Sequence, residues 1–335
     1  MNIGNCHALN YSSACVADLT KLAETYAAAS MPYSSLGVRS LLKTMTAAQR
    51  FVLPDGGRLL EDNLRGIKGR RLRLPFPVVT LEYFVDQTGQ APGEQCSRRI
   101  AIAQESTYAE LGALMTSMNR SVRWPRKDGD ERLIIVSAVS FYDLANEWRV
   151  QACAIIIGES WEAQDNSQPI PSFFPRKTPL TGGEAKMGVL PIALLPEVSD
   201  IIIEEMGYDA AFQAMMHDVN DEVTAVLEFC EALTCVNVTP TKIQSVSPTV
   251  NARRAASGKL PLADAWCLTL DVPLELKVGR ATGVGAHRSP RTHLRRGHIR
   301  RLPDKNVWVN STVVGSGDVK IEKHYHLSAT RLTAP

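Results

Sequence analysis

The chain has 335 residues, of which 44% are apolar and 21% charged, close to globular averages, so wholesale disorder and a coiled-coil rod are both excluded. Its length admits one large domain or two ordinary ones. The formal net charge of +2 hides an asymmetry: residues 271–335 hold 12 Lys or Arg against 5 Asp or Glu, a net of about +7, leaving 25 against 30, about −5, for residues 1–270.

Seven cysteines, odd in number and without a CxxC pair, read as reduced and mostly buried thiols. No signal peptide and no apolar run of about 18 residues occurs, which points to a cytoplasm. In chain order, Val16, Leu19, Leu22, Tyr26 and Ala29 recur at three- and four-residue steps and predict a helix over 16–29, followed after a Pro32 turn by a second over 36–49. Residues 53–73 are glycine-rich and loop-like, with a basic cluster of Arg65, Lys68, Arg70, Arg71 and Arg73 that reads as a solvated face. Residues 74–84, LPFPVVTLEYF, read as a strand entered through two prolines. Glu82 within it is either a catalytic carboxylate or, as the lack of a partner acid favours, a solvent-facing or arginine-paired residue.

Further strands are predicted at Arg98–Ala103, Leu133–Phe141 and Trp148–Ile157, the last two apolar enough to be covered on both faces, with a helix at Tyr108–Met118 between them. Prolines and glycines crowd residues 161–197, a linker or a docked loop. From Ser199 to Leu233 the apolar positions follow a helical period with Asp218, Asp221, Glu222, Glu228 and Glu231 at the intervening places, Ser199 or Asp200 as caps, and Gly207 as a break. His217 beside Asp218 reads as an ordinary surface or packed residue. A short strand over 235–240, a polar loop carrying Arg253, Arg254 and Lys259, and a strand at Trp266–Val272 complete the centre. Lys305–Val314 and Val319–Leu327 are predicted to form a C-terminal hairpin closed at Gly315–Asp318.

The densest chemical signal is the stretch 285–315. Arg288, Arg291, Arg295, Arg296, Arg300 and Arg301 alternate with His287, His293 and His298, no carboxylate lies between Glu275 and Asp304, and Trp308 follows at once. Guanidinium groups suit bidentate contact with phosphate or carboxylate, and arginine with an aromatic neighbour suits RNA, by phosphate contact and stacking. Six guanidinium groups oppose a divalent cation, so no metal or cofactor is assigned to the histidines, including His324 and His326. A metal-independent ribonuclease would place an Arg and a His on one helix as acid and base. Pro290 and Gly297 argue against such a helix here, and no catalytic residue is assigned. There is no GxSxG, Gly-Lys-Ser/Thr loop, GxGxxG or HExxH motif. The plain alternative is an arginine-rich structural loop paired to the acidic helix over 209–231.

The block Arg291-Thr-His-Leu-Arg-Arg-Gly-His298, with the strand Val307-Trp-Val and Val313-Val314-Gly315 behind it, resembles a family carried by phages, prophages and plasmids that includes a type V-A anti-CRISPR protein. Leu74-Pro-Phe-Pro, Cys235-Val-Asn-Val-x-Pro240, Asn251-Ala-Arg-Arg254 and Gly258-Lys-Leu-Pro261 are similar to other blocks of that group, and together these cover about a fifth of the chain. Thr292 and Ile299 stand where the family has proline and an aromatic. The resemblance implies a non-catalytic antagonist of host defence that acts in the host cytoplasm, with Arg291, His293, Arg295, Arg296 and His298 facing RNA, ribosome with nascent peptide, or an acidic host defence protein.

The expected architecture is therefore α+β, a mixed or antiparallel sheet flanked by helices, divided as 1–160, 161–198 and 199–335. Its expected binding surface is Arg288, Arg291, His293, Arg295, Arg296, His298, Arg300, Arg301 and Trp308. A ribonuclease or a phage structural protein is the alternative.

Overall fold

A computed structural model describes residues 8–60, 70–87, 95–117, 132–158, 160–161, 189–259, 261–270, 293–295, 298–309, 312–314 and 328–329. Its first half runs α1 (Tyr11–Ala14), α2 (Val16–Ala28), α3 (Pro32–Ala47), β1 (Gln49–Val52), β2 (Arg70–Arg71), β3 (Val78–Phe84), β4 (Arg98–Thr107), α4 (Tyr108–Ser117), β5 (Arg132–Tyr142), β6 (Glu147–Val150), β7 (Cys153–Gly158) and β8 (Ser160–Trp161). The second half runs β9 (Val189–Ala193), α5 (Pro196–Met206), α6 (Tyr208–Leu233), β10 (Val238–Gln244), α7 (Pro248–Ala256), β11 (Ala265–Leu270), β12 (His293–Arg295), β13 (His298–Arg301), β14 (Asn306–Val309), β15 (Thr312–Val314) and β16 (Ser328–Ala329).

Ten strands form one mixed sheet in the order β10-β11-β1-β3-β4-β5-β7-β9, with β16 beside β11 and β6 beside β5. The pairs β1–β3, β1–β11 and β11–β16 are parallel and the others antiparallel. The fold is α+β. Because side chains alternate across a strand, β5 sends Ile134, Val136 and Ala138 into one core and Leu133, Ile135 and Val139 into another. The first core is covered by α6 through Phe212, Met215, Val219, Val226 and Phe229, the second by α2, α3 and α4 through Leu19, Leu41, Met45 and Leu111. That double cover explains why the runs in β5 and β7 are almost unbroken apolar sequence.

The expected three-part division is not how the sheet is built. Strands β10 and β11 lie beside β1, so segments from both sides of residues 161–198 share one sheet and one core. Val189–Ala193, expected in a linker or loop, is the edge strand β9, and Pro196 occupies the first turn of α5, where its missing N–H costs nothing. Residues 162–188 lie outside the described residues.

Other boundaries move for identifiable reasons. Helix α3 starts at Pro32 instead of 36, because a proline at the first helical position initiates rather than blocks a helix. Four-residue β1 carries too short a pattern to read from sequence, yet its Phe51 is fully buried. It makes an edge contact with Phe229 at 4.9 Å between ring centroids. The strand expected over 148–157 breaks at Gln151-Ala152 into β6 and β7, both paired with β5. The polar loop expected after Pro248 is helix α7, started by the Ser247 hydroxyl accepting from the Val250 N–H. Gly207 does separate two helices, at φ 78°, a backbone value that favours glycine. Gly37 lets α3 approach the end of β9, since a Cβ there would sit 2.1 Å from the Leu194 carbonyl oxygen.

Carboxylates start the N-terminal helices. Glu82 is 2% exposed and accepts from the Tyr11 and Ser12 N–H groups, each at 2.9 Å, and from the Ser12 hydroxyl. It therefore does not face solvent, but holds the amino end of α1 on β3. Glu197 does the same for α3, accepting from the Tyr33 and Ser34 N–H groups and the Ser34 hydroxyl. Burial pushes the Glu197 pKa up, but these donors outweigh it and hold the carboxyl below its ordinary value. The described cysteines, Cys15, Cys96, Cys153, Cys230, Cys235 and Cys267, are all buried, and burial pushes the Cys15, Cys153 and Cys230 thiols up to about 12. Among the described residues no helix is long and apolar enough to cross a membrane.

Two outcomes follow for stability. Phe51→Ala is expected to cost about 3–5 kcal/mol in urea unfolding, the range for emptying an aromatic site in a core. Because the folded-state pKa of Glu197 is depressed, its contribution is present above the unfolded-state pKa and lost as pH falls through the folded one. The difference in Tm between wild type and Glu197→Gln should therefore be largest near neutrality and close as pH falls below about 4, the ordinary glutamate range.

Candidate nucleic-acid interface

Helix α6 sets the geometry of this region. Its residues 225–232 are buried without interruption, so the apolar stripe of its first half becomes an all-round contact in its second. Three carboxylates on the helix are buried as a result: Glu222 and Glu228 at 0% exposure and Glu231 at 1%. An ionised carboxylate out of water needs a partner, and each has an arginine from a different part of the chain. Arg99 of β4 reaches Glu222 at 3.1 Å. Arg58 reaches one Glu228 oxygen through Nε at 2.8 Å and Nη2 at 2.6 Å, while the Leu59 and Leu60 N–H groups donate to the other oxygen. Arg301 of β13 reaches Glu231 at 2.7 Å. Burial pushes the Glu222 carboxyl up, against the pull of Arg99.

Residues 298–309 of the arginine-rich stretch are folded onto the carboxyl end of α6. Strands β13 and β14 form a hairpin in which His298, Ile299, Arg300 and Arg301 oppose Val309, Trp308, Val307 and Asn306. A hairpin late in the chain is thus present, but the arginine stretch supplies one of its arms; residues 315–327, expected to hold the turn and the second arm, lie outside the described residues. The turn after α6 clamps the hairpin. Asn237 donates to the Trp308 carbonyl and accepts from its N–H, Val236 N–H donates to the Asn306 carbonyl, and the Asn306 amide donates to the Thr234 hydroxyl.

Alternation then sorts the expected binding residues. One face carries Ile299, packed on the core, Arg301, bound to Glu231, and buried Asn306 and Trp308. The other carries half-buried His298, exposed Arg300, and Val307 and Val309. Two expectations are corrected. Trp308 is 6% exposed and belongs to the core under α6, so its ring is not available to stack on bases. Arg301 is not a free cation of the surface but the partner of a buried carboxylate, as the structural alternative requires, although its side chain keeps 38% exposure. Strand parity carried both signals, since Trp308 shares a face with Asn306 and not with Val307.

The remaining expected residues divide by position. His293 and Arg295 lie on β12, paired with β15 at His293↔Val314 and Arg295↔Thr312. Arg288, Arg291 and Arg296 lie outside the described residues, as do His287, His324 and His326. His293 and His298 lie on strands, so neither shares a helix with an arginine. Helix α6 exposes His217. No group of three metal-ligating side chains occurs among the described residues.

One residue of this region was missed. Arg58 stands ahead of the basic cluster of residues 65–73 and drew no attention, yet it meets α6 one turn before Arg301 does. The Arg73 backbone lies against the Cys230 thiol, between those two turns, and the Arg73 side chain is exposed. Two basic segments more than 200 residues apart in sequence therefore reach the same helix end.

Comparison with known proteins adds no relative: no family model, no curated protein and no solved structure matches the chain. Trp308→Ala should lower stability by about 3–5 kcal/mol in urea unfolding, as emptying a core aromatic site does, while Trp308→Phe should lose much less. A Trp308→Ala chain that unfolds like the wild type but loses affinity for RNA would return the ring to the surface.

Proposed function

We propose that the chain is a phage- or mobile-element-encoded protein that interferes with host defence by binding, not by turnover, and that its ligand is RNA or a ribonucleoprotein in the host cytoplasm. The observation that carries this reading is the meeting of residues 58–60, Arg73 and residues 298–301 on the carboxyl end of α6. Guanidinium groups gathered on a fixed hairpin present phosphate donors without the entropy cost of ordering a loop. The arginine-rich block and its family resemblance supply the anti-defence context.

Phosphate contacts make affinity salt-dependent, with a slope of about 0.7 per contact on a single strand. Arg295→Ala combined with Arg296→Ala and Arg300→Ala should weaken RNA binding several-fold and flatten that slope, read by fluorescence anisotropy at a series of salt concentrations. Unchanged affinity and slope would remove RNA as the ligand. Capture of partners from infected cells with and without nuclease treatment separates RNA-mediated from protein-mediated binding, and intact RNA after incubation with the purified chain is the outcome expected of a binder.

A further inference from the structure

The two ion pairs at the end of α6 are asymmetric in exposure. Glu228 and Glu231 are buried at 0% and 1%, while the side chains of their partners Arg58 and Arg301 remain 47% and 38% exposed. A guanidinium has five N–H donors in a rigid fork. Arg58 commits Nε and Nη2 to Glu228, and Arg301 commits Nη2 to Glu231, so each keeps N–H donors that the carboxylate does not use. Glu228 thus takes two donors of Arg58 on one oxygen, and Glu231 takes one donor of Arg301. Because Glu228 and Glu231 are three residues apart and neighbours on the helix surface, the two forks flank one turn. Exposed Arg300 precedes Arg301 on the other face of the same hairpin strand, and exposed Arg73 stands beside the same turn.

We infer that Arg58 and Arg301, oriented by Glu228 and Glu231, form a paired phosphate site that takes the phosphodiester backbone of the RNA strand docked on the hairpin. This rests on the reading above and deepens it. A free lysine pays side-chain entropy when it meets a phosphate; an arginine already held in place by a buried acid has lost that freedom on folding. The same ion pairs then serve stability and recognition. The unused donors bind the ligand while the committed ones hold the loop and the hairpin to α6.

The test separates those two roles. Removing Arg301 alone would strand a buried carboxylate, so the informative variant is Arg301→Gln with Glu231→Gln, which keeps the buried position hydrogen-bonded and neutral and removes the outer cation. Arg58→Lys keeps a charge for Glu228 and removes the planar fork. The full-length chain carrying all three changes is titrated with a single-stranded oligouridylate RNA across salt concentrations, beside Arg300→Ala. The expected result is a folded protein, by thermal melt and circular dichroism, with RNA affinity about tenfold lower and a salt slope smaller by about 0.7 per lost contact. Wild-type affinity and slope in that folded variant, with Arg300→Ala weakened, would overturn the paired site and leave the binding reading standing. Unchanged binding in both would overturn both. If the triple variant does not fold, Arg58→Lys with Arg301→Lys serves in its place, and is expected to lose affinity several-fold at unchanged net charge; full wild-type affinity there overturns the site.

Discussion

The burial of three glutamates on one helix is the constraint on which the rest of the molecule hangs. Helix α6 enters the fold as an ordinary amphipathic helix and ends enclosed by the sheet, by residues 58–60 and by the β13–β14 hairpin. Enclosure strips water from Glu222, Glu228 and Glu231, and leaving any one of them unpaired would cost several kcal/mol. Arg99, Arg58 and Arg301 answer them from β4, from the segment after β1 and from the hairpin. Each pair ties a different part of the chain to the same helix, so these pairs specify where the parts go as well as how strongly they hold.

Of the three pairs only Arg301–Glu231 joins the basic end of the chain to its acidic part. Glu82, Glu222, Glu228 and Glu231 are all buried, and half-buried Glu197 caps α3. Part of the acidic excess of residues 1–270 is thus spent inside the fold on helix ends and arginines. The arginines near the end of α6 are only partly neutralised in return, because a guanidinium can satisfy a carboxylate with one edge and still face water with another. A hairpin held by its inner row, with Arg300 on its outer row, is a pre-ordered surface. Its rigidity comes from Asn237, Thr234 and the buried Trp308, none of which contributes charge.

Local sequence determined a good deal. The three- and four-residue recurrence of apolar positions placed α2 and α6, the unbroken apolar runs placed β5 and β7 as strands covered on both faces, and Gly207 marked the break between α5 and α6, because each of these depends only on neighbours along the chain. The arginine-rich stretch and its immediate continuation into strand were equally visible. Tertiary structure alone decided the rest. Glu222, Glu228 and Glu231 occupy positions that a helical period assigns to solvent, and only the docking of residues 58–60 and of the hairpin turned them inward. Arg58 and Arg301 became neighbours on α6 although 243 positions separate them in the sequence. Strand parity put Trp308 and Arg301 on one face of the hairpin, but that this face is the inner one was decided by Asn237 holding β14 and Glu231 holding β13, contacts 71 and 70 residues away in sequence.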